Sequence, residues 1–170
     1  MLNIVFQNSI RFAALMLIQV LILNNIQFSG FLNPNLYLLF LLLLPFEINK
    51  SLLLIISFFT GICMDMFTNT MGMHTAACVF MGFCRPYVLT YISPRGGYEP
   101  EAVPTIKNMG LNWYFSYAGT LVLLHHFLLF YIEVFRLSEF LSTLYRVVLS
   151  TCFSLLLIII AQYLVFGKKN

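Results

Sequence analysis

The chain has 170 residues, of which 61% are hydrophobic and 9% charged, with a formal net charge of +3. A soluble domain is roughly one-quarter charged, so this composition cannot cover a water-facing globule and points to an all-α integral membrane protein. Its Lys and Arg residues are scattered rather than clustered, which gives no surface for nucleic acid, and the length allows one compact membrane domain over 1–170.

A helical span needs about 20 apolar residues to cross a hydrocarbon core about 30 Å thick. Six runs are candidates, taken in chain order. The first covers 4–23, or starts at Ile10, with Gln19 as the one polar interruption of the apolar stretch after Arg11. Arg11 is the only basic residue ahead of its apolar stretch and no small-x-small site follows, so it does not read as a cleaved signal. The second, 34–46, is short, with Pro34 as its first residue and Asn33 as the expected N-cap. At about 1.5 Å per residue it reaches only about 20 Å, which predicts a tilted or partly re-entrant element.

The third run is 51–67 and the fourth 75–92. Pro94, Pro100 and Pro104 then mark 93–112 as an aqueous loop. The fifth run is 113–132. Charges alternate with Phe135, Leu137, Phe140, Leu141 and Leu144 across 133–146, the pattern of an interfacial amphipathic turn or short helix. The sixth run is 147–166. With both termini cytoplasmic, Arg11, Lys50, Arg95, Lys107, Lys168 and Lys169 fall inside while Arg136 and Arg146 fall outside, which satisfies the positive-inside bias.

Ionisable groups within spans are costly, about 2.5–3.5 kcal/mol at mid-helix on insertion scales. Asp65, His74, Arg85, His125 and His126 therefore need reasons. An Asp65–Arg85 bridge is not expected, because their depths differ by about 12 Å at about 1.5 Å per residue. Asp65 instead fits a tight hairpin between the third and fourth spans, accepting bonds from Thr68, Asn69 and Thr70, with Gly72 supplying a positive φ. Arg85 precedes Pro86, which frees the Gly82 carbonyl for a guanidinium partner. Cys78, Gly82 and Arg85 share one small, polar face, and Gly61 with Asp65 gives the third span a matching one.

His125 and His126 point about 100° apart on a helix and have no carboxylate or thiol at ligand spacing, so no metal is implied. Cys63, Cys78, Cys84 and Cys152 form no CxxC pair and read as small buried residues. No nucleophile–base pair, glycine-rich phosphate loop or carboxylate pair is present, so the chain reads as not an enzyme and as needing no cofactor.

The runs NPNLYLLFLLLLPFE (Asn33 to Glu47), GICMDMFTNTMGMHTAA (Gly61 to Ala77), RP (Arg85-Pro86) and SPRGGYEPE (Ser93 to Glu101) resemble MreD, the rod shape-determining membrane protein family, in its Bacteroides-type branch. The similarity extends from about Arg11 into the sixth run. It implies a non-catalytic component of the bacterial inner membrane, in a six-helix bundle similar to the substrate-binding subunits of energy-coupling-factor vitamin transporters. The implied partners are an MreC-like protein and, in the same complex, MreB, RodA and a penicillin-binding transpeptidase, coupling filaments to lateral peptidoglycan synthesis. The rival is that the chain is itself a vitamin-capturing subunit. Those subunits carry Ala-x-x-x-Ala in span one, whereas Ala13 and Ala14 are followed four residues later by Leu17 and Ile18.

Overall fold

A computed structural model describes residues 2–25, 33–99, 102–135 and 139–166. The described residues are mostly helical and contain no strand. The helices are α1 (Leu2–Leu21), α2 (Leu38–Leu42), α3 (Lys50–Thr68), α4 (Met73–Tyr91), α5 (Ile106–Met109), α6 (Leu111–Val134) and α7 (Phe140–Phe166). A short 3-10 turn, Leu23–Asn25, follows α1.

Among the described residues, four helical stretches are long and apolar enough to cross a membrane: Phe6–Asn25, Lys50–Thr68, Leu111–Val134 and Phe140–Phe166. The predicted fourth span is α4, whose 19 residues reach about 28 Å at about 1.5 Å per residue. Its buried His74 and Arg85 lower its apolarity, because one face is built for the protein interior rather than for lipid.

The predicted second span differs most from a transmembrane helix. Only Leu38–Leu42 is helical, and every residue from Leu36 to Leu44 is buried. Asn33 is not a helix cap: Tyr37 holds that position, and the Asn33 amide donates to Ser150 Oγ at 3.3 Å. The segment is thus an irregular plug inside the bundle, a conformation tolerated at membrane depth only when protein surrounds it.

Around this plug α3 packs along α4, α4 on α6, and α6 on α7, while α1 meets α2 and α3 over short stretches. Two other boundaries shift. The expected interfacial segment 133–146 is divided between the end of α6 and the first turns of α7, with 136–138 outside the described residues. The 93–112 loop contains α5, capped by Thr105 Oγ1 accepting from the Asn108 amide at 3.2 Å. The cysteines are also less uniformly buried than expected: Cys78 is buried, Cys63 and Cys84 are half-buried, and Cys152 is exposed. A sulfur small enough to pack anywhere leaves no sequence signal for its facing.

Local chemistry fixes the α3–α4 hairpin. Asn49 Oδ1 caps α3 by accepting from the Ser51 amide at 2.9 Å. The helix ends at Asn69, which adopts the left-handed conformation at φ 55° and donates its amide to the Asp65 carbonyl. Gly72 then turns the chain at φ 84°. Gly61 sits where the two helices come closest: a Cβ there would strike Thr75 Cα and lie 2.8 Å from Thr75 N. Gly61→Ala is therefore expected to force the hairpin apart and to destabilise the bundle by about 1–3 kcal/mol. Gly96→Ala, which meets open space, should leave the melting temperature in detergent unchanged; equal melting of both variants would contradict this packing.

Candidate functional site

In lipid, unpaired backbone groups find no water, so an irregular segment must be satisfied by side chains. Among the buried polar residues, Gln19, His74, Arg85, His125, His126, Ser150 and Ser154 bond to residues of the 33–46 segment. Gln19 of α1 accepts from the Leu36 amide at 2.7 Å through Oε1 and donates to the Pro34 carbonyl at 2.9 Å through Nε2. Ser154 Oγ of α7 accepts from the Asn35 amide at 2.9 Å.

At the other end, Arg85 is 1% exposed. It donates to Leu44 O, to Pro45 O at 3.3 Å and to Tyr117 Oη at 2.7 Å. Tyr117 in turn donates to Leu42 O at 3.1 Å. The guanidinium therefore holds the carbonyls that follow α2, which lack helical partners. This corrects the expectation that Arg85 serves the Gly82 carbonyl freed by Pro86. The plug presents several orphan carbonyls in one place, and a five-donor fork matches that array better than a single carbonyl. Gly82 has another role: a Cβ there would strike Ser57 Oγ, so it lets α3 approach α4.

The middle of the plug is held by Tyr37. Its hydroxyl lies 3.0 Å from His74 Nδ1 and 3.0 Å from His125 Nε2, with Cys78 Sγ at 3.7 Å. One hydroxyl proton can serve only one imidazole, so the other must donate to the oxygen. His125 Nδ1 is buried without a partner, and an unpaired acceptor is a smaller penalty than an unpaired N–H. The arrangement therefore runs from His125 Nε2–H to Tyr37 Oη, and from the Tyr37 hydroxyl to His74 Nδ1. His126 faces elsewhere, with Asn35 Nδ2 and Ser154 Oγ each 3.3 Å from its Nε2. Among the described residues no three His, Cys, Asp or Glu side chains form a group that could hold a metal.

Asp65 anchors His74 from outside this network. Its carboxylate accepts from the His74 and Thr75 amides at 3.0 Å each, from Thr75 Oγ1 at 2.5 Å and from Thr70 Oγ1 at 2.6 Å. Gly72 occupies the cap position of α4 and has no side chain to offer, so Asp65 of the preceding helix caps α4 in its place. Of the expected donors only Thr70 bonds the carboxylate. Thr68 Oγ1 donates to Met64 O at 2.8 Å, and Asn69 contributes its backbone. The hairpin is short enough that the first-turn amides of α4 lie directly over Asp65, displacing the loop donors.

Beside this hairpin is a cavity of about 810 Å³ whose walls include Asn24, Asn35, Thr70, His74, Glu133 and Arg146. Glu133 and Arg146 form an ion pair at 3.2 Å. The hairpin also exposes apolar side chains: Met71 is 98% exposed, Met66 77%, and Phe67, which lines this cavity, 62%.

Gln19, Asn35, Tyr37, Tyr117 and Ser154 were not singled out as site residues in the sequence. Tyr37 within LYLLFLLLL is the signal that could have found the plug, since a hydroxyl in a leucine run needs a buried partner. No protein-family model, curated protein or solved structure matches this chain.

Proposed function

We propose that the chain is a non-catalytic component of the bacterial elongation machinery in the inner membrane, which binds an MreC-like protein and helps couple MreB filaments to lateral peptidoglycan synthesis. In this reading six membrane-embedded elements, counting α4 and the plug, form the bundle and both termini are cytoplasmic. The sequence runs that resemble MreD support it, and they lie together in the fold: Phe46 stacks on Tyr98 at 4.2 Å, Arg85 holds Leu44 and Pro45, and Tyr37 meets His74.

The observation that carries the reading is the hairpin after α3. A carboxylate clasp fixes its backbone, and Met66, Phe67 and Met71 stand exposed beside it. A rigid turn with adaptable apolar side chains is suited to a protein partner. Met71→Glu is expected to weaken co-purification of an MreC-like protein about tenfold while leaving the melting temperature unchanged. Undiminished co-purification would count against this surface as the contact.

The polar cavity of about 810 Å³ favours a second reading, a substrate-binding subunit of an energy-coupling-factor vitamin transporter. Cross-linking in native membranes separates the two: capture of an ATPase pair supports the transporter, and capture of an MreC-like protein supports the elongation complex.

A further inference from the structure

A second cavity, of about 1030 Å³, opens at the Arg85 end of the bundle between α1, the plug and α3. Its walls are mostly apolar, with Phe12 and Phe40 from α1 and the plug and Leu52, Ile56 and Phe59 from α3, and polar side chains such as Asn8 and Asn49 join them. Phe12 and Phe40 pack with ring centroids 5.0 Å apart. Leu52, Ile56 and Phe59 follow one another at helical spacing and form a wall about 10 Å long at about 1.5 Å per residue. Because α1 touches α3 only over a short stretch, helix packing does not close the groove between them.

The same groove contains one cation and one anion, Arg11 and Glu47. They do not pair with each other. Arg11 donates to Asn8 Oδ1 at a long 3.5 Å and stacks over the Phe166 ring at 5.3 Å. Its remaining donors meet no protein acceptor among the described residues, and Glu47 has no ion-pair partner among them. Two opposite charges that do not pair with each other, beside an apolar trough, match a zwitterion with acyl chains. We propose that this groove is a binding site for a phospholipid whose headgroup carries a phosphate and a primary ammonium.

The chemistry assigns each part. Arg11 presents a planar fork to the phosphate oxygens. Glu47 accepts from the ammonium N–H groups, which a trimethylated headgroup lacks. The acyl chains lie against Phe12, Ile56 and Phe59. An apolar transmembrane helix of a partner is a poorer occupant, because it offers no phosphate to Arg11 and no ammonium to Glu47. The inference is independent of the elongation reading, since it concerns the opposite end of the bundle from the Asp65 hairpin.

The test is native mass spectrometry of the full chain after extraction from membranes holding equal phosphatidylethanolamine, phosphatidylcholine and phosphatidylglycerol. Retention of phosphatidylethanolamine about tenfold above the other two is expected. Glu47→Gln should erase the preference over phosphatidylcholine while phospholipid is still retained, and Arg11→Gln should reduce retention of all three. Equal retention of the three lipids by the parent chain overturns the proposal without recourse to any variant. A photo-reactive residue at Ile56 that captures a protein instead of lipid in native membranes also overturns it.

Discussion

Arg85→Ala is expected to lower the unfolding free energy of the bundle by about 3 kcal/mol, the largest loss for any single arginine here. The variant leaves the carbonyls of Leu44 and Pro45 without these donors and takes from Tyr117 Oη the N–H it accepts, while the Tyr117 hydroxyl still donates to Leu42 O. The figure is a net one, because removing a buried charge also relieves its desolvation and offsets part of the loss. Individual membrane hydrogen bonds average only about 0.6 kcal/mol, so the total rests on several being lost together with orphaned acceptors. Arg85→Lys keeps the charge but not the fork and should recover less than half of the loss. Arg95 is exposed in the loop, and Arg95→Ala should fall within about 0.5 kcal/mol of the parent. Thermal unfolding in detergent decides the matter, and indistinguishable melting of the Arg85 and Arg95 variants would remove Arg85 from its assigned place.

Asp65→Ala is expected to destabilise by about 2–3 kcal/mol, through loss of a cap and of charge-assisted bonds. Two amides at the start of α4 and two threonine hydroxyls lose their acceptor together. Asp65→Asn retains one acceptor oxygen and should give roughly half that loss. A further signature separates clasp from simple cap. Asp65 fixes the backbone of His74, whose ring takes the Tyr37 hydroxyl, so Asp65→Ala and Tyr37→Phe should be less than additive by at least about 0.5 kcal/mol. Strict additivity would show that the hairpin and the plug are held independently.

The hairpin was legible in the sequence because its parts are local. Asp65, Gly72 and the polar stretch between them lie within one turn of chain, and the chemistry of a charge at a helix end in lipid admits few solutions. The failure of Asp65 and Arg85 to pair followed from helix rise alone. The plug was legible only by its length: 34–46 is too short to span, but nothing in a leucine run says what surrounds it. Its anchors are distant in sequence, with Arg85 reaching Leu44 across 41 residues and Ser154 reaching Asn35 across 119. A pattern read along the chain sees a serine in an apolar helix and cannot see the amide it will serve. For the same reason Arg85 was matched to the nearest free carbonyl rather than to the right one. His125 and His126 were read correctly as divergent, but their separate partners, Tyr37 and Asn35, belong to that same distant segment.

The plug also imposes a timetable on synthesis. Gln19 is made before it, but Arg85, Tyr117, His125, His126 and Ser154 all follow. At about 5–20 residues per second, the 119 residues between Asn35 and Ser154 take about 6–24 s to emerge. For that interval the amides and carbonyls around α2 need water or the insertion machinery as their partner. Final closure of the bundle therefore waits for α7, and a nascent chain halted before it holds an incompletely satisfied core.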